Sequence, residues 1–262
     1  MTAIGNGHVR VEYDERRADV ILDRPEKRNA MNEETVADLT EAITRIDDDD
    51  DIRAATLLGN GSVFCAGLQL DMMYEKTASE QDEFQRSFRT LLNAIDESTT
   101  PIVAGIKGAG IAGGFELTLP TDLRVLGEKT KYGVIEVTLG VFPHQGSTQL
   151  LPRIVGLGKA KELVLTGEYI DPAEAEHCNL VTEVVPEADV DERARLLADD
   201  LAEKAPLAIQ NALKAFQATF DVPLDEGLAT EHRLAMPLYK THDRTEGFEA
   251  RLNGRDPEFR GR

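Results

Sequence analysis

Apolar and polar residues alternate at the start of the chain: Val9, Val11 and Tyr13 share one face, Val20 and Leu22 another, with Asp14-Glu15-Arg16-Arg17 between them. Period-two alternation on both sides of a charged tetrapeptide predicts a β-hairpin. From Asn32 the period lengthens. Val36, Leu39, Ile43 and Ile46 recur three or four residues apart, which predicts a helix capped by Asn32 and ended by the aspartate run at 47–51. Ala54-Ala55-Thr56-Leu57-Leu58 reads as a short buried strand, followed by a glycine-bounded loop over 59–70. Ser79 is read as opening a longer helix with Phe84, Phe88, Leu91, Leu92 and Ile95 on one stripe, stopped by Thr99-Thr100-Pro101. Strands are predicted at 102–106 and 123–126, separated by a glycine-rich turn at 108–114 and a short helix. Beyond about residue 145 the pattern is almost wholly helical, with Pro172, Pro206 and Pro223 at helix starts. The pattern is that of an α/β chain in which strand–strand–helix units repeat and a helical appendage follows.

Length and composition narrow the class. At 262 residues a single large domain can bury about three quarters of its unfolded surface without a disulfide or metal staple. The two cysteines, Cys65 and Cys178, fit a reducing compartment. The N-terminal residues lack a signal-peptide pattern and no apolar run is long enough to span a bilayer, so a cytoplasmic enzyme is expected. Charge changes the picture more. Forty-eight acids against 29 bases (10 Lys, 19 Arg) give a net charge of −19, which repels nucleic acid and anionic membrane. An anionic substrate must then be held by backbone amides or a few Arg and Lys. The acid-rich, Lys-poor surface also resembles that of proteins from high-salt cytoplasms, where salt screens self-repulsion.

Gly108-Ala109-Gly110-Ile111-Ala112-Gly113 satisfies the G-x-G-x-x-G pattern of dinucleotide-binding folds. The separation argues against it. About eight residues lie between Gly114 and the next strand at Leu123, fewer than the roughly ten to twelve of a crossover helix. These glycines are better read as letting a backbone approach a ligand and present an N–H at a helix start.

Three segments carry the chemistry: Phe64-Cys65-Ala66-Gly67-Leu68, Ala112-Gly113-Gly114-Phe115-Glu116-Leu117, and Tyr132-Gly133-Val134-Ile135-Glu136 followed by Leu139-Gly140-Val141-Phe142-Pro143 and Gly146-Ser147-Thr148-Gln149. In this order, with Arg24-Pro25-Glu26-Lys27-Arg28-Asn29-Ala30-Met31-Asn32 before them and Glu246-Gly247-Phe248-Glu249-Ala250-Arg251 after, the series resembles the crotonase (enoyl-CoA hydratase/isomerase) family over nearly the whole chain. The resemblance implies a crotonase-like spiral of ββα units over 1–195 and a helical C-terminal trimerisation region over 196–262. It implies hydration of trans-2-enoyl-CoA to 3-hydroxyacyl-CoA, with the amides of Leu68 and Gly113 stabilising the thioester enolate and Glu116 and Glu136 handling protons. Burial beside a like charge raises carboxyl pKa values, which suits that work. The coenzyme A site would take Lys27, Arg28 and Ala30, with Ala66 and Leu70 flanking the pocket. No metal or redox cofactor is implied, coenzyme A being part of the substrate, and a homotrimer or dimer of trimers is expected.

The chain departs from the family pattern at Leu68 (usually Ala), Gln69 (usually Asp), Val134-Ile135 and Pro143-His144-Gln145. In hydratases the glycine matched by His144 offers an amide to the attacking water. The His144 side chain is expected to line the acyl pocket. The rival readings are a double-bond isomerase, which needs one shuttling carboxylate, and a silent acyl-CoA-binding subunit. The other histidines show no metal spacing, and Cys65 is read as a buried small residue.

Overall fold

A computed structural model describes residues 2–262. Strands β1 (Thr2–Ile4), β2 (Val9–Asp14) and β3 (Arg17–Leu22) form an antiparallel meander. Val9 pairs with Leu22 and Val11 with Val20, so the two predicted apolar faces become one. Helix α1 (Glu33–Asp47) is capped by Asn32, whose side chain accepts from the Thr35 amide. Then come β4 (Ala54–Gly59), the short α2 (Leu70–Glu75) and α3 (Ala78–Asp96). Helix α3 begins one residue before the predicted Ser79, because Thr77 and Glu80 close a reciprocal capping box. Next are β5 (Ile102–Ile106), β6 (Ala109–Ile111), α4 (Gly113–Glu116), β7 (Leu123–Gly127) and β8 (Lys131–Gly133). The remainder is α5 (Leu151–Thr166), α6 (Pro172–His177), β9 (Glu183–Val185), α7 (Val190–Ala202), α8 (Pro206–Gln217), α9 (Leu224–Leu238) and α10 (His242–Asn253).

The main sheet has the order β1-β2-β3-β4-β5-β7-β9 and is parallel from β3 onward. A second strip runs across the chain: single bridges join Met31 to Leu68 and Cys65 to Gly110, β6 pairs with β8, and Tyr132 bridges Ile170. Each turn of the chain thus places one strand in the sheet and a short second strand in the strip before a helix. That is the spiral of ββα units. Strands β3 and β4 are buried at every position, as expected for parallel strands covered on both faces. One face packs against α1, α3, α5 and α6; the other, lined by Ile21, Ala54, Leu58, Val103 and Val125, packs against Val190, Ala194, Ala198 and Ala202 of α7.

The alanines of α7 recur every four residues, so the helix lies close to the sheet. A charged network fastens it there: buried Asp19 accepts from Arg17 Nε (2.9 Å), Thr56 Oγ1 (2.7 Å) and Arg195 Nε (2.8 Å), and Arg17 also reaches Asp199. The expected division after residue 195 therefore falls inside a helix of the core, and the helices free of the sheet start with α8. Helices α8 and α9 bury no residue at all. Strands β1, β6, β8 and β9, three residues each, are absent from the sequence reading because so short a run carries no period.

Candidate active site

The two glycine turns meet in the second strip. Cys65 donates its N–H to Ala109 O (2.9 Å) and accepts from Ile111 N (3.1 Å), which lays the first turn along the second. On its other side Met31 donates to Gly67 O and Gln69 to Met31 O, both at 2.8 Å. In a parallel bridge of this pattern the intervening Leu68 N–H points away from Met31. Gly67 adopts φ +99°, and a Cβ there would stand 2.9 Å from Ile111 O, so the turn needs glycine. Ala112 is held at φ 53°, ψ −122° by its N–H bond to Gly133 O (2.9 Å), a conformation costing an alanine about 1–3 kcal/mol. Gly113 follows as the first residue of α4, where an N–H has no intrahelical acceptor. A Cβ on Gly113 would lie 3.0 Å from Leu68 Cγ, so the two turns are in contact. Neither the Leu68 nor the Gly113 amide donates a hydrogen bond among the described residues. Two free donors side by side fit a developing oxyanion.

Glu116, on the last turn of α4, is 3% exposed. Its Oε1 accepts from Gln145 N (2.8 Å) and Ser147 Oγ (3.0 Å). Burial pushes its carboxyl up; the Gln145 and Ser147 donors and the Arg89 charge pull the other way. Glu136 opens the short helical turn Glu136–Leu139 and is half-buried, less enclosed than its apolar neighbours in sequence suggested. Its Oε2 is shielded from solvent yet finds no hydrogen-bond donor among the described residues. Burial first, and the neighbouring Glu116 charge second, push Glu136 up to about 7. The fold thus brings the two carboxylates within electrostatic reach and gives them different surroundings: one bonded, one orphaned. Such pairs divide acid and base roles between them.

His144 sits in the strap over 143–147 with its ring exposed, tilted against Phe142 at 5.8 Å between centroids, and its carbonyl accepts from Arg89 Nη2 (2.9 Å). It borders Glu136, whose pKa its charge lowers. The amide that meets Glu116 belongs to the next residue, Gln145, whose side-chain Nε2 donates to Gln85 O (3.0 Å) and Gln85 Oε1 (2.7 Å) on α3. The sequence reading gave no role to Gln85, Arg89, Gln145 or Ser147. Pro143-His144-Gln145 and Gly146-Ser147-Thr148-Gln149 marked this strap in the sequence, but nothing local tied Gln85 or Arg89 to it.

The segment expected to meet coenzyme A lies along the same strip. Arg28 and Asn29 both adopt left-handed backbone. Buried Asn29 anchors the bend by donating Nδ2 to Asn60 O (2.9 Å) and Val63 O (2.7 Å). Ala66 N donates to Arg28 O (3.1 Å), and Arg24 bridges Ala30 O (2.8 Å) and Gln69 Oε1 (3.3 Å). Ala30, Ala66 and Leu68 are thereby brought together. Lys27 and Arg28 lie exposed at the rim, as does Leu70 (67% exposed) at the start of α2. Gln69 has become a contact of Arg24 instead of a carboxylate. Cys65 is enclosed behind the first turn, and burial pushes its thiol up to about 12, so it is an inert packing residue.

Comparison with known proteins gives the family and the fold. The enoyl-CoA hydratase/isomerase family model matches residues 15–262. A Mycobacterium bovis protein named "Probable enoyl-CoA hydratase echA8" is 35% identical over 95% of this chain and 96% of its own length. The 2,3-dehydroadipyl-CoA hydratase of Escherichia coli is 36% identical over 92% and 94%. The crystal structure of an enoyl-CoA hydratase from Bacillus anthracis superposes with a TM-score of 0.94 at 31% identity, covering 97% of this chain and 100% of that one. This chain belongs to the enoyl-CoA hydratase/isomerase, or crotonase, family and has its fold. Among the described residues no helix is long and apolar enough to cross a membrane.

Proposed function

We propose that this protein adds water to trans-2-enoyl-CoA thioesters to give 3-hydroxyacyl-CoA. The observation that carries the proposal is the pairing of Glu116 and Glu136 beside two free amides. The thioester oxygen is received by the N–H groups of Leu68 and Gly113, and each such donor is worth about 3–4 kcal/mol to the enolate. Glu116, bonded through Oε1, is the base: it takes a proton as the water oxygen forms its bond to the β-carbon. The π electrons move to the thioester oxygen, and the enolate collapses as the Glu136 carboxyl delivers a proton to the α-carbon. The addition is redox-neutral and calls for no metal or redox cofactor. An isomerase needs a single shuttling carboxylate, so the paired glutamates favour hydration.

The remaining assignments follow from position. Lys27 and Arg28 at the rim face the coenzyme A end, with Ala30, Ala66 and Leu70 along the pocket. His144 borders the acyl end with the exposed Leu139, Val141 and Phe142. The apolar residues that α8 and α9 leave uncovered, among them Phe216, Leu224, Leu228 and Tyr239 just beyond α9, are suited to burial against further copies in a homotrimer or a dimer of trimers. The acid-rich surface and two free cysteines suit a cytoplasm of high salt.

The test is loss of the enoyl-thioester absorbance of crotonyl-CoA in molar KCl, comparing wild type with Glu116→Gln and Glu136→Gln. Turnover by the wild type with collapse in both variants supports hydration. A wild type that binds the thioester but leaves its absorbance unchanged refutes it.

A further inference from the structure

Two side chains of the 143–147 strap have no part in the chemistry above. Ser147 is wholly buried, and its Oγ donates to Oε1 of Glu116 at 3.0 Å. Gln145 is 4% exposed and ties the strap to α3 through both bonds from its Nε2 to Gln85. Because both acceptors are oxygens, the orientation of the Gln145 amide is fixed. The strap so clamped then sends three donors to the same carboxylate oxygen: Gln145 N (2.8 Å), Ser147 Oγ (3.0 Å) and, at the longer distance of 3.5 Å, Ser147 N. Oε2 of Glu116 accepts nothing among the described residues. The terminal torsion of a glutamate is otherwise broad, and the donors gathered on one oxygen remove that freedom, the Ser147 hydroxyl being the only side chain among them.

We propose that Ser147, anchored by the Gln145–Gln85 clamp, is a positioning residue that locks Glu116 through Oε1 and so presents Oε2 to the attacking water. The inference rests on the hydratase reading for its kinetics, not for its geometry. The charged and titratable groups facing Glu116 are Glu136 on the turn after β8, Arg89 on α3, and His144 beside Glu136. Arg89 is bonded to the strap at His144 O, so replacing Ser147 leaves that charge in place. Loss of a hydroxyl donor to the ionised carboxylate favours its protonated form, and the Glu116 pKa must therefore rise.

The experiment compares full-length wild type with Ser147→Ala, Ser147→Thr and Gln145→Ala, by crotonyl-CoA kinetics against pH and by carbon-13 NMR titration of the Glu116 carboxyl. The NMR signal is assigned by its absence in Glu116→Gln. Ser147→Ala is expected to lower kcat about tenfold with KM within about twofold. The acid limb of its pH profile and its NMR titration both move to higher pH, and Ser147→Thr restores both. Gln145→Ala, which removes both clamp bonds to Gln85 and leaves the Gln145 amide in place, moves them the same way and decides the matter should Ser147→Ala fail to fold. Kinetics and titration unchanged in Ser147→Ala, or in a folded Gln145→Ala, overturn the proposal. A wild type inert toward crotonyl-CoA sinks the hydratase reading instead, and the NMR titration alone then decides the role of Ser147.

Discussion

Glu136 should make the protein less stable as pH rises, and Glu136→Gln should remove the effect. The carboxyl lies half-buried with an orphaned Oε2, and burial together with the Glu116 charge lifts it from 4.5 to about 7. A raised acid favours folding least when it is ionised. Below about 4.5 both folded and unfolded chains carry the proton and the group contributes nothing. Between 4.5 and 7 the unfolded chain gives up its proton first, so stability falls with pH; above 7 the penalty is complete and level. At about 1.4 kcal/mol per pKa unit the rise corresponds to roughly 3 kcal/mol, reduced to about 2 kcal/mol by solvent screening of a partly exposed group. Glu136→Gln keeps the shape and loses the charge. Its urea midpoint should exceed that of the wild type by the equivalent of about 2 kcal/mol at pH 8, and the gap should close toward pH 5. Both proteins are compared at equal concentration, so that any assembly contributes alike. A variant no more stable than wild type at pH 8, or one whose advantage grows as pH falls, refutes the reasoning. The accompanying loss of turnover would mark Glu136 as a site where stability is given up for function.

Two further outcomes follow from packing. Gly67→Ala forces a Cβ to within 2.9 Å of Ile111 O at φ +99°; displacing the Leu68 amide should cut kcat about a hundredfold with KM little changed, since one oxyanion donor is worth that much, and full activity would remove Leu68 from the oxyanion site. Asp19→Ala removes the shared acceptor of Arg17 Nε, Thr56 Oγ1 and Arg195 Nε, while Arg17 keeps Asp14 and Asp199; chemical unfolding should show a loss of about 1.5–3 kcal/mol, whereas a loss under about 1 kcal/mol would mean that α7 is held by its alanines alone.

The periods in the sequence sufficed for the larger elements. The stripe from Val36 to Ile46, the stripe from Phe84 to Ile95 and the apolar runs at 54–58 and 102–106 fall within α1, α3, β4 and β5, because each is long enough, or apolar enough, for burial to impose its own spacing. Local chemistry marked Gly67 and Gly113, where the backbone must turn tightly, and the ordered motifs carried the family. What lay beyond reach was pairing. The three-residue strands β6, β8 and β9 exist only because a neighbour supplies hydrogen bonds, and α7 was cut at 195 because its alanines show their purpose only against the sheet. The site divides in the same way. Glu116 and Glu136 could be named from the sequence, yet a carboxylate's properties are set by what surrounds it. Only the folded chain puts Gln145 and Ser147 on one oxygen of Glu116, leaves Glu136 without a donor, and turns the His144 ring outward against Phe142. Those contacts join residues up to sixty positions apart, as with Gln145 and Gln85, a separation at which no local period or propensity acts.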